Sequence, residues 1–153
     1  MTSLEFGSIE REIHVDAPPE VVFEVVSSPE HISEWWTDDA SFEVRPGAVG
    51  EFVWGDRVDV LPMQVVAAEP PRLFSFRWCY PDGKVDDSVN SMLVTFELTP
   101  AGGGTRIRMV ETGFREMGWE VAKLEEQYQE HVTGWNTFIP RLGDYISRMV
   151  STL

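Results

Sequence analysis

A single cysteine, Cys79, stands in 153 residues, so no internal disulfide can form and the fold must rest on its core alone. Positive charge is scarce as well. Lys and Arg number 12 against 26 Asp and Glu, a formal charge of −14, which repels the polyphosphate of nucleic acids and the anionic surface of membranes. Neither is an expected partner. No run approaches the roughly 20 apolar residues that cross a bilayer as a helix, and MTSLEFGSIERE at the N-terminus has neither a basic segment nor an apolar stretch of export length. A reducing cytoplasm is the expected location. The histidines, His14, His31 and His131, show no HxH or HExxH spacing, so no metal is expected, and no cofactor either. Gly102, Gly103 and Gly104 lead into a strand rather than a lysine and a helix start, which rules out a phosphate loop. Aromatic residues, by contrast, are plentiful: 6 Trp and 9 Phe can line a cavity as well as fill a core. The length fits one domain, 1–153, with a core of its own.

Periodicity along the chain predicts the elements. FGSIEREIHVDA alternates Ile9, Arg11, Ile13 and Val15 against polar neighbours, the pattern of a half-buried strand. Asp16 then reads as a cap ahead of Pro18 and Pro19, and Val22, Phe23 and Val26 follow at helical spacing until Ser28 and Pro29. A second short helix, PEHISEWW, delivers the adjacent Trp35 and Trp36 to its end. Neighbouring side chains cannot both face one core. Trp36 is expected under the mouth of the sheet and Trp35 on an entrance rim; the competing reading makes Trp35 an exposed anchor for a protein partner.

From 40 to 112 six runs read as strands: ASFEV, GEFVW, RVDVLPMQVVAAE, RLFSFRWCY, NSMLVTFELT and TRIRMVET. Their connections are too short for crossover helices, so the sheet is antiparallel. Residues 100–104 form a tight glycine hairpin, and Pro62 marks a bulge or an edge. PDGKVDD is a longer hairpin whose Asp82, Asp86 and Asp87 are a solvated tip or a greeting for a basic partner. The last forty residues form a long amphipathic helix, with Leu124, Tyr128, His131, Trp135, Phe138, Leu142, Ile146, Met149 and Leu153 at spacings of three and four. Glu126 and Glu130 lie on its polar side. Pro140 is expected to kink or break it.

The fold class is therefore α+β, in the order β-α-α-β6-α, with a curved seven-stranded antiparallel sheet around a long C-terminal helix. In RLFSFRWCY the residues Phe74, Phe76, Trp78 and Tyr80 share a face. Arg106 and Arg108 must reach water, which turns Thr105, Ile107, Met109 and Glu111 inward. Phe52, Trp54, Met63, Phe76, Trp78, Met92, Met109, Tyr128, Trp135 and Phe138 can then meet between sheet and helix. For any one of them core filling is the default, because buried aromatics are common. As a set, such rings and thioethers are the lining of a concave ligand site.

With those residues placed, the chain resembles a known superfamily. IEREIHVDAPPEVVFEVVSSPEHISEWW, FEVRPGAVGEF, RLFSFRW, VTFELTPAGGGTRIRMVETGF and HVTGWNTFIPRLGDYI are similar to the START-like (SRPBCC) helix-grip superfamily, and within it to the branch named for the activator of heat-shock protein 90 ATPase. The similarity runs from about Ile9 to Ile146. Its diagnostic pieces are the Trp after the second helix, Thr112-Gly113-Phe114, and Gly134-Trp135. The resemblance implies a sheet gripping the C-terminal helix, with a cavity between them that in many relatives holds a hydrophobic molecule. Two departures bear on the size of that cavity. Gly47-Ala48-Val49-Gly50 lengthens a loop beside the expected mouth, and Pro140 interrupts the helix that forms the floor.

Glu111 and His131 are the candidate acid and base, a desolvated carboxyl beside an imidazole. The plainer reading is that Glu111 bonds the His131 ring or a loop donor and orients the helix. Cys79 falls on the outward face with Arg77 by strand alternation, a small buried or edge residue rather than a nucleophile. The leading expectation is a binding protein for a small hydrophobic or aromatic molecule, without catalysis, using Trp35, Trp36, Glu111, His131 and the ten inward residues named above. The alternatives are a cyclase- or dehydrase-type enzyme working through Glu111 and His131, and a chaperone-associated or self-associating module.

Overall fold

A computed structural model describes residues 6–151. Strand β1 (Ser8–Val15) is followed by helices α1 (Pro19–Ser27) and α2 (Pro29–Trp35). Six strands come next: β2 (Asp39–Ser41), β3 (Val49–Trp54), β4 (Asp59–Glu69), β5 (Leu73–Trp78), β6 (Met92–Ala101) and β7 (Gly104–Thr112). A 3₁₀ turn at Arg115–Met117 leads into α3 (Val121–Ser151). The seven strands form one antiparallel sheet in the order β1-β7-β6-β5-β4-β3-β2. The predicted fold class is the one observed.

Alternation sets which face is buried. On β7 the side chains of Thr105, Ile107, Met109 and Glu111 are buried, while Arg106 pairs with Glu12 at 2.9 Å and Arg108 with Glu10 and Glu97 at 2.6 and 2.7 Å on the outer face. These exposed pairs each add little to stability. They link β1, β7 and β6 across the outer face. The β6–β7 connection is a two-residue turn with φ of 54° at Gly102 and 85° at Gly103, the left-handed conformation such a hairpin requires.

Three local expectations are corrected by the structure. Asp16 does not cap α1: Pro18 occupies the cap position and its carbonyl accepts the first helical bonds from Val21 and Val22. Of the two alternatives at Pro62, the bulge is the one corrected, since the bulge of β4 lies between Val65 and Ala67, and the edge is the one observed. Pro62 pairs with Glu51 of β3, but pairing with β5 begins only at Met63, so the missing N–H of proline falls where β4 has no neighbour on that side. Helix α3 runs unbroken through Pro140. Both Pro140 and Asn136, whose carbonyl loses its usual donor, are exposed, so water can take the place of the lost bond.

Helix α3 buries Trp135, Ile139, Leu142 and Ile146 against the sheet. Side-chain bonds fix its position along its length. Tyr128 donates to the Ser8 carbonyl at 2.7 Å, Arg11 donates to Asn136 at 3.0 Å, and the Tyr145 hydroxyl meets His31 of α2 at 2.7 Å. Leu153, predicted on the same apolar stripe, lies outside the described residues.

Candidate functional site: a tryptophan-walled cavity over a buried carboxylate

Near the end of β7 the inward alternation leaves Glu111 fully buried between sheet and helix. Its two oxygens accept three hydrogen bonds: Oε1 from His131 Nδ1 at 2.7 Å and Trp135 Nε1 at 2.8 Å, Oε2 from Trp78 Nε1 at 2.8 Å. An indole nitrogen can only donate, so both rings are turned with their N–H edges to the carboxylate. One side chain thus ties β7 to β5 and, through two residues a helical turn apart, to α3.

On the other side of those rings lies a cavity of about 260 Å³. Four tryptophans form its walls, Trp36, Trp54, Trp78 and Trp135, with Leu61, Cys79 and Phe138 between them. Helix α3 completes it with Glu130, His131 and Gly134. Trp36 is the hub. Its ring centroid lies 5.1 Å from Trp78, 5.2 Å from Trp135 and 5.7 Å from Trp54, and Phe52 and Phe76 support it at 4.8 and 5.8 Å. At Gly134 an added Cβ would meet no atom within 4 Å, so the helix surface facing the cavity is open there.

Cys79 lies on this wall and not on the outer face that strand alternation predicts. β5 ends at Trp78, and Cys79 adopts a φ of 59°, which reverses the direction of its side chain. Burial first, and the negative charge of Glu111 second, push its thiol well above the ordinary value of 9.0. Among the described residues no three His, Cys, Asp or Glu side chains converge as metal ligands.

The Activator of Hsp90 ATPase homolog 1-like protein family model matches residues 16–147. This chain belongs to that family. No curated protein matches it by sequence. Among solved structures it is similar to protein MLL2253 of Mesorhizobium loti, with 26% identity and a TM-score of 0.74 over 92% of this chain and 97% of that one. It is also similar to the Aha1 dimer of Colwellia psychrerythraea, at 18% identity and a TM-score of 0.71 over 91% and 95% of the two chains. DynU16, from the dynemicin biosynthetic locus, matches at 22% identity and a TM-score of 0.70 over 92% of this chain but only 47% of its own. The last two share the fold.

Within this member of the family, six of the residues expected at the site line the cavity together: Trp36, Trp54, Trp78, His131, Trp135 and Phe138. Glu111 stands directly behind three of them. Phe52, Met63, Phe76, Met92 and Met109 are fully buried in the sheet's core and do not reach the cavity, because the larger indoles in front of them take the surface. Tyr128 packs edge-on to Phe114 at 5.1 Å, beyond the cavity's end. Trp35 is not on a rim: it is 1% exposed and stacks on Trp36 at 5.9 Å. Its Nε1 donates to the Val25 carbonyl at 3.0 Å, closing the last turn of α1. The segment from Gly47 to Gly50 is not part of the cavity lining either.

Sequence reasoning did not place Leu61, Cys79, Glu130 or Gly134 at the site. A signal existed for two of them. Gly134 is a helix-breaking residue inside a long helical pattern with no cap nearby, and Glu130 sits one turn before it, on the same side of the helix.

Proposed function

We propose that this protein binds a compact aromatic or apolar molecule in the tryptophan-walled cavity and does not convert it. The open space at Gly134 carries the reading. Glycine within a helix costs about 1 kcal/mol relative to alanine, and no neighbour requires its small size, since a Cβ would touch nothing. What it leaves is room between α3 and four indoles. That volume, about 260 Å³, falls just under the roughly 300–1,000 Å³ of drug-sized sites, which suits a compact guest better than a long acyl chain.

The polar groups around the cavity support binding over chemistry. Both oxygens of Glu111 are engaged by three donors, and Cys79 is held as the neutral thiol. A second reading, an enzyme of the cyclase or dehydrase type, rests on the Glu111–His131 contact of 2.7 Å, because a carboxylate that orients an imidazole at a cavity wall is how a general base is built. Chaperone association and self-association are suggested by the family's name and by the Colwellia Aha1 dimer. The exposed anchor that would have supported a protein partner, Trp35, is buried.

The test is a panel of small aromatics and aliphatics, neutral and charged, followed by tryptophan fluorescence and melting temperature. A guest at 100 times its dissociation constant stabilises by about 2.7 kcal/mol, or roughly 5–10 °C for a chain of this size. Gly134→Leu should fill the space, leave the fold intact and abolish the shift. A panel without a single responder, or a responder indifferent to Gly134→Leu, would overturn the reading. Turnover of a bound compound that is lost in His131→Gln would favour the enzyme.

A further inference from the structure

Resting on that binding reading, we propose that the guest carries a positive charge: a compact organic cation of the quaternary or alkylated ammonium kind, held against the faces of Trp36, Trp54, Trp78 and Trp135. The orientation of the rings is the first ground. Trp78 and Trp135 spend their N–H groups on Glu111, so neither ring keeps a hydrogen-bond donor for the guest and what they can offer it is aromatic carbon. A ring face is the negative pole of the aromatic quadrupole and attracts cations, most strongly in tryptophan. Donation to a carboxylate polarises the indole further in the same sense.

Charge around the cavity is the second ground. No Lys or Arg is among its lining residues, whereas Glu130 stands at its edge and Glu111 behind its wall. Glu130 takes part in no ion pair among the described residues. Glu111 stands behind Trp78, His131 and Trp135, its oxygens 2.7–2.8 Å from their ring nitrogens, so its carboxylate lies one ring away from the cavity. Two groups oppose a cation and limit where it can sit. His131 shares the lining, with its Nδ1 turned to Glu111, and the Arg141 guanidinium already lies 5.5 Å from the centroid of Phe138. The cation therefore belongs among the four indoles, away from Phe138. The overall charge of −14 would draw it in from a distance.

The experiment compares choline with 3,3-dimethylbutan-1-ol, which has the same shape with carbon in place of the charged nitrogen, at ionic strength matched with NaCl. Choline should quench tryptophan fluorescence at concentrations about tenfold lower than the alcohol. Trp54→Leu should erase most of that preference, Glu130→Gln should weaken choline about threefold and leave the alcohol unchanged, and Gly134→Leu should remove both. An alcohol that binds as tightly as choline overturns the charge inference and leaves cavity binding standing. Neutral aromatics that bind where choline does not have the same meaning. Absence of binding by every probe, charged and neutral, takes down both proposals.

Discussion

Glu111 shows how much one side chain can organise when its chemistry and its burial disagree. A carboxyl group in an apolar interior is costly unless its oxygens are matched with donors, and Trp78, Trp135 and His131 supply three. Glu111→Ala should therefore destabilise by about 3–5 kcal/mol, since it leaves two buried indole donors and the half-buried His131 ring without their partner. Glu111→Gln, which keeps one acceptor oxygen, should cost only about 1–3 kcal/mol in the same urea titration. Equal and small losses for both would show that the network does not hold the elements together. Cys79 makes a pH prediction. Its folded thiol titrates well above the 9.0 of an ordinary one, so its contribution to stability is fully present below pH 9.0 and is lost as pH rises towards the folded value. Wild type should lose stability above pH 9.0 relative to Cys79→Ala, and iodoacetamide at pH 8 should alkylate the folded chain far more slowly than the urea-unfolded one. Glu111 was legible in the sequence because its arginine neighbours on β7 demand solvent. The direction of Cys79 was not, because no residue pattern announces that a strand stops two residues earlier, at Trp78, and turns to a positive φ.

At the scale of elements, the short helices act as a bracket. The carbonyls in the last turn of α1 lack helical donors, and the indole of Trp35, arriving from the end of α2, satisfies that of Val25 at 3.0 Å. Trp36, the next residue, points to the cavity. The adjacent pair thus divides its labour between locking two helices and lining a site. Trp35→Phe should cost about 1–3 kcal/mol through the buried, unpaired carbonyl, while guest binding in the cavity stays within about twofold of wild type. A loss of binding without a loss of stability would return Trp35 to the rim. Element types and order could be read from the sequence because strand and helix periods are local. Which of two adjacent tryptophans faces which way depends on the angle between α1 and α2, and that is set by contacts distant in the chain. Pro140 teaches the same lesson: its cost depends on whether the carbonyl it orphans can reach water, and both Pro140 and Asn136 lie on the exposed side of α3.

At the scale of the whole molecule, a seven-stranded antiparallel sheet and one 31-residue helix meet over a buried core, and a cavity lies between them beside Gly134. Alternation, helical spacing and turn residues by themselves determined the sheet, its antiparallel sense, the inward face of β7 and the long helix, since each follows from the geometry of a few consecutive residues. Composition determined the acidic character, and with it the sign of any charge the molecule attracts. Tertiary structure alone decided where the rings leave space. A core and a cavity draw on the same aromatic residues, and the difference lies in how their volumes fill a shared interior. That is a sum over seven strands and a helix, which no local stretch contains. Phe52, Phe76 and the buried methionines filled their share, whereas Gly134, by having no side chain, left the remainder open.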